Sequence, residues 1–153
     1  MSKFFKTVLL TSLFVGTTDI LSAFISMYIK SGKFPDKMFN YIAAGALGIP
    51  AALKGGTAAA FLGLFFHYFI AFSFTLFFFL VFPRLKFLTF NKYLIGMLYG
   101  VFVCQAMALI LKLTPFPSGG PFNLAGIFIS WITVGVLFGI PIAYNTYKYY
   151  AVE

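Results

Sequence analysis

Thr57–Phe82 reads TAAAFLGLFFHYFIAFSFTLFFFLVF, and this stretch decides the class of the fold. It holds no Asp, Glu, Lys or Arg, and its one imidazole is His67. A hydrocarbon layer of ~30 Å needs about 20 helical residues, and the run is longer than that. Apolar residues occupy every helical face, without the two-residue alternation of a barrel strand. The run therefore predicts a membrane-crossing helix. Three further runs have the same character: Thr7–Ile29, Tyr93–Leu111 and Leu124–Tyr147. Helices over 7–29, 57–82, 93–111 and 124–147 predict an all-α integral membrane four-helix bundle, with 1–153 as a single membrane domain.

Composition agrees with this. The 153 residues are 61% hydrophobic and 9% charged, against ~45–50% and ~25% for a soluble domain. Mean hydropathy is +0.98. A soluble fold this small leaves too much of its chain exposed to hide so much apolar surface. A soluble enzyme, a nucleic-acid-binding domain and a disordered chain are excluded. The net charge of +8 comes from cations that flank the apolar runs, where they face lipid headgroups. Cys104 is the only cysteine and His67 the only histidine. These counts exclude a disulfide framework, a Cys- or His-rich metal site and a two-histidine haem, so no cofactor is expected.

The connections between the runs are unequal. Pro83-Arg84-Leu85-Lys86-Phe87 is short and basic. Thr114–Pro121 carries three prolines and two glycines, which forbid a regular helix. Between the first two runs, Lys37–Leu53 is apolar, rich in Gly and Ala, and interrupted by Pro50. It predicts a short interfacial or re-entrant helix over about 37–53. Lys54 beside it is a candidate headgroup contact. The first run opens with Lys3 and Lys6 as a secretory signal does. Its length, Asp19 and the lack of a small-x-small cleavage site favour a retained helix. Lys3, Lys6, Arg84, Lys86, Lys92 and Lys148 fall on one side of the predicted spans. Lys30, Lys33, Lys37, Lys54 and Lys112 fall on the other. This narrow excess places both termini in the cytoplasm.

Lipid supplies no hydrophobic drive between helices, so close approach needs small residues. Gly96-x-x-x-Gly100 marks the third run, Gly135-x-x-x-Gly139 the fourth and Ala59-x-x-x-Gly63 the second. They serve packing within the bundle or self-association with a second copy. Pro141 predicts a kink. Tyr144, Tyr147, Tyr149 and Tyr150 form an aromatic belt, and the phenylalanines face lipid. Gly63-Leu-Phe-Phe-His67 after Gly55-Gly56 parallels Gly126-Ile-Phe-Ile-Ser130 after Gly119-Gly120, a two-fold repeat in outline.

Of the three acids, only Asp19 lies inside a predicted span, and so does His67. An ionisable group at mid-bilayer costs a few kcal/mol, so each asks for a partner or a role. Both lie about ten residues from span ends on the same side, hence about 15 Å deep. Gln105 lies about 10 Å deep on the third span, and Thr133 on the fourth lies at a depth similar to the pair. Ser22 and Ser26 follow Asp19 on its own face. The expectation is an intramembrane polar layer of Asp19, His67, Gln105, Thr133 and Ser22. Such a layer handles protons, ions or small solutes, or it fixes helix register as a hydrogen-bonded pair. No nucleophile elbow or oxyanion loop stands beside it, so an enzyme is not expected.

The order of these features resembles a known family. An Asp in the first span is followed by an apolar segment with Gly45-x-x-Gly48. Next come Gly63-x-x-x-His67 and a Phe-rich run closed by Pro83-Arg84-Leu85-Lys86. Gly96-x-x-x-Gly100 then precedes a Pro-rich loop. Over residues 10–147 this resembles the YagU-type small inner-membrane proteins, a bacterial family of unknown function. The resemblance implies a bacterial cytoplasmic membrane and adds no activity. Ser130-Trp131 stands where that family carries a second Gly-His. Two roles follow from the sequence. One is proton, ion or small-solute handling at Asp19 and His67. The other is a non-catalytic accessory subunit of a larger membrane complex, packing through its glycine faces.

Overall fold

The computed structural model describes residues 2–115 and 123–151. All regular structure among them is helical. The elements are α1 (Lys3–Ser31), α2 (Met38–Leu47), α3 (Ile49–Lys54), α4 (Gly56–Val81) and α5 (Lys92–Lys112). The last long helix is composite: α6 (Leu124–Val134), a π-helical turn over Gly135–Gly139, and α7 (Ile140–Ala151). Four stretches are long and apolar enough to cross a membrane: Lys3–Ser31, Gly56–Arg84, Lys92–Lys112 and Leu124–Tyr150. Of the proline- and glycine-rich connection, Thr114 and Pro115 are described, and residues 116–122 lie outside the described residues.

Caps set the helix ends. Ser2 Oγ accepts the Phe5 N–H, and Gly32 closes α1 at φ 66, a conformation that glycine adopts without strain. These caps stretch α1 beyond the expected 7–29. Asn91 Oδ1 accepts the Tyr93 and Leu94 N–H groups at the start of α5. Asn123 does the same for Gly126 at the start of α6.

The segment expected as one short helix forms two, and the break is not at Pro50. It falls at Gly48, which adopts φ 75 and ψ 155. Pro50 sits in the first turn of α3, where a missing N–H leaves no bond unmade. The two helices fold back on each other as a hairpin. Buried Asn40 holds it closed, its Nδ2 donating to the Ala52 carbonyl at 2.9 Å and the Gly56 carbonyl at 2.8 Å. The hairpin packs on α4, where a Cβ at Gly63 would overlap the Phe39 carbonyl. Phe39 meets Phe24 of α1, and Gly45 and Gly48 reach Leu111 and Pro115 past α5. The hairpin thus lies across one end of the long helices. Asn40→Leu strips both carbonyls of their donor at a buried site and is expected to cost about 2–4 kcal/mol. A detergent unfolding curve superimposable on wild type contradicts this.

The long helices form two pairs. α1 packs against α4, and α5 packs against the composite helix along its whole length. The pairs join where α7 and the π turn meet α1 and α4. α6 buries no residue and packs chiefly on α5, so the pairs part toward the hairpin end. The core at the joined end includes Val15, Ala71, Phe78, Phe82, Tyr99, Phe138 and Ile142. Buried Phe78, Phe79, Phe82 and Phe138 therefore depart from the expectation that the phenylalanines face outward.

The disturbance expected at Pro141 is taken up one turn earlier. The Ile140 N–H bonds to the Gly135 carbonyl, a five-residue step. Pro141 has no N–H for the Leu137 carbonyl four residues back. Thr18 Oγ1 of α1 lies 3.1 Å from that carbonyl and also within reach of the Phe14 and Val15 carbonyls. A hydroxyl from a neighbouring helix thus serves a backbone acceptor freed by proline.

Candidate functional site

Gly16-Thr17-Thr18-Asp19 is a small and polar run inside the apolar α1. It faces His67 and Tyr68 of α4. His67 Nε2 donates to the Gly16 carbonyl at 2.8 Å. The Tyr68 hydroxyl and Thr17 Oγ1 are hydrogen-bonded at 2.9 Å. The two rings meet edge-on, with centroids 5.4 Å apart. Gly16 has no side chain for a steric reason. A Cβ there would lie 3.0 Å from the Tyr68 ring and 3.3 Å from Ala71 Cβ. Two consecutive residues of α4 are thus fastened to two consecutive residues of α1.

Asp19 is half-buried one turn further along. Its carboxylate interacts electrostatically with His67 and with Cys104 of α5. It makes no side-chain hydrogen bond with the described residues. The expected direct Asp19–His67 hydrogen bond is therefore replaced by two separate arrangements. The imidazole is tied to backbone, and the carboxylate lies near it without a fixed partner.

The other expected members of the layer are placed differently. Ser22 Oγ donates to the Asp19 main-chain carbonyl at 2.8 Å, not to its carboxylate. Gln105 is exposed, and its Oε1 accepts the Trp131 indole N–H at 3.3 Å, linking α5 to α6. Thr133 is half-buried and makes no side-chain hydrogen bond with the described residues. Lys54 is exposed at the end of α3. Sequence reasoning did not single out Gly16, Thr17, Thr18 or Tyr68. The signal for the first three was the polar run leading to Asp19. For Tyr68 there was none beyond adjacency to His67.

No family model, no curated protein and no solved structure matches this chain. The site is read from its own chemistry.

The glycine faces are occupied within the chain. A Cβ on Gly96 would run into Ile140 Cα, and one on Gly100 into Gly135 Cα. A Cβ on Gly139 would overlap the Gly96 carbonyl. Both Gly-x-x-x-Gly motifs thus face each other across the α5–composite helix contact. Gly63 faces the hairpin, whereas Gly126 has only the Asn123 side chain near it. The two halves of the outlined repeat are not equivalent at these positions, and Gly119-Gly120 lies outside the described residues.

Proposed function

We propose that this is a multi-pass membrane protein that handles protons, or small solutes coupled to them, at Asp19 and His67. The observation that carries the reading is the carboxylate of Asp19. It is half-buried inside a helix long and apolar enough to cross a membrane, beside an imidazole and without a fixed hydrogen-bond partner among the described residues. A carboxylate kept only for register would be tied down, because an unpaired polar group in a hydrocarbon setting costs several kcal/mol. One left near an imidazole is free to exchange protons with it. The YagU-type resemblance supports a bacterial cytoplasmic membrane, and the narrow excess of cations on one side of the predicted spans supports both termini inside. The accessory-subunit reading draws less support, since the glycine faces that would receive a partner are filled from within.

The test is proton uptake by proteoliposomes under an imposed pH gradient. His67→Gln keeps an amide N–H to offer the Gly16 carbonyl but does not titrate. It is expected to retain the fold and to lose about 100-fold of the flux, the low end of what a positioned acid–base group supplies. Flux equal to wild type in the folded variant overturns the reading.

A further inference from the structure

The neighbours of His67 determine which of its ring nitrogens can work. A carbonyl oxygen only accepts, so the nitrogen 2.8 Å from the Gly16 carbonyl must carry the proton. The neutral ring is then protonated on Nε2, and its lone pair is on Nδ1. We infer that His67 takes up and releases its proton through Nδ1 alone, so that it loads and unloads as a carrier and does not pass protons through the ring. The inference rests on the proton reading above.

The balance of the step is simple. A proton arriving at Nδ1 gives an imidazolium with both nitrogens protonated. A wire would release the other proton from Nε2. Here that proton is held by an acceptor that has no onward route, being a backbone carbonyl inside α1. While the bond persists, the proton must leave by the nitrogen it entered. Its exchange partner is Asp19, the one carboxylate among the described residues that interacts with the ring. The Tyr68 hydroxyl is engaged by Thr17, and Cys104 interacts with Asp19 from α5. The composite helix adds no ionisable side chain from Leu124 to Ala143. Net transfer across the protein then requires Asp19 and Nδ1 to be reached from one side and then the other.

His67 is the only histidine, so nitrogen-15 histidine labelling of the full chain in lipid bilayers gives one pair of ring signals. The expected result is a neutral ring protonated at Nε2 and bare at Nδ1. On acidification Nδ1 becomes protonated while Nε2 keeps its proton and its contact with a carbonyl-labelled glycine. A neutral ring protonated at Nδ1, an even mixture of the two forms, or loss of the Nε2 contact on acidification overturns the inference. Proton flux from the same preparation separates this from the broader reading. Flux with the wrong nitrogen protonated overturns the carrier inference alone. The expected ring signals without flux overturn the proton reading, and the inference falls with it.

Discussion

Gly139→Leu is expected to abolish the folded protein. The Cβ alone would overlap the Gly96 carbonyl and crowd the Gly100 nitrogen. Both are backbone atoms of α5, so no rotamer change relieves the contact. The two helices must separate, and with them the Gly100–Gly135 and Gly96–Ile140 approaches on either side. In a bilayer nothing offsets that loss, because lipid solvates the separated faces as well as it solvates a leucine. Even Gly139→Ala is expected to cost about 3 kcal/mol, the upper end for overpacking. Gly135→Ala is the informative contrast. Its Cβ meets the Met97 thioether end at 2.8 Å, a flexible group that can turn aside. Its cost is expected to stay near 1 kcal/mol. Unfolding curves in mixed micelles check the order; equal stability of Gly135→Ala and Gly139→Ala contradicts it.

The second large effect is on activity. Asp19→Asn conserves volume and removes the charge. No side-chain hydrogen bond of Asp19 to the described residues is lost, so the substitution is expected to leave the fold intact. It also removes an ionisable group that costs about 3 kcal/mol at the centre of a membrane helix, from a helix long and apolar enough to be one, so equal or greater resistance to unfolding is the expected sign. Proton flux is expected to fall by about 100-fold, the scale of a positioned proton-transfer group. Stability and activity thus move in opposite directions, the pattern expected where a group that costs stability is kept for function. A structural role predicts the reverse: loss of stability, with activity falling only as folded protein is lost.

Much of the fold was legible in the sequence because length and apolarity decide it. The four long helices are where uninterrupted apolar runs lie, and the facing glycines could be read as contact points from their spacing. What could not be read is which backbone each glycine meets. Gly63 looked like a partner for another long helix and instead receives the short hairpin at Phe39. Helix breaks fall beside the conspicuous residues for a related reason. Pro50 and Pro141 are the conspicuous residues, yet the departures fall at Gly48 and at Gly135–Gly139. A proline is tolerated in a first turn, and its missing donor can be answered from elsewhere, as Thr18 answers Leu137. The site was half legible. Counting residues put Asp19 and His67 at one depth, and the structure ties His67 to the Gly16 carbonyl, one turn before Asp19. The carbonyl that holds His67 belongs to Gly16, and no side-chain pattern announces a main-chain acceptor. Gln105 shows the limit of depth alone, since its rotation about α5 turns it to Trp131.

The most direct measurement is proton uptake by proteoliposomes carrying equal amounts of folded wild-type or Asp19→Asn protein under the same imposed pH gradient. The account predicts uptake by wild type and near-background uptake by the variant. Equal uptake by the two, or none by either, contradicts it.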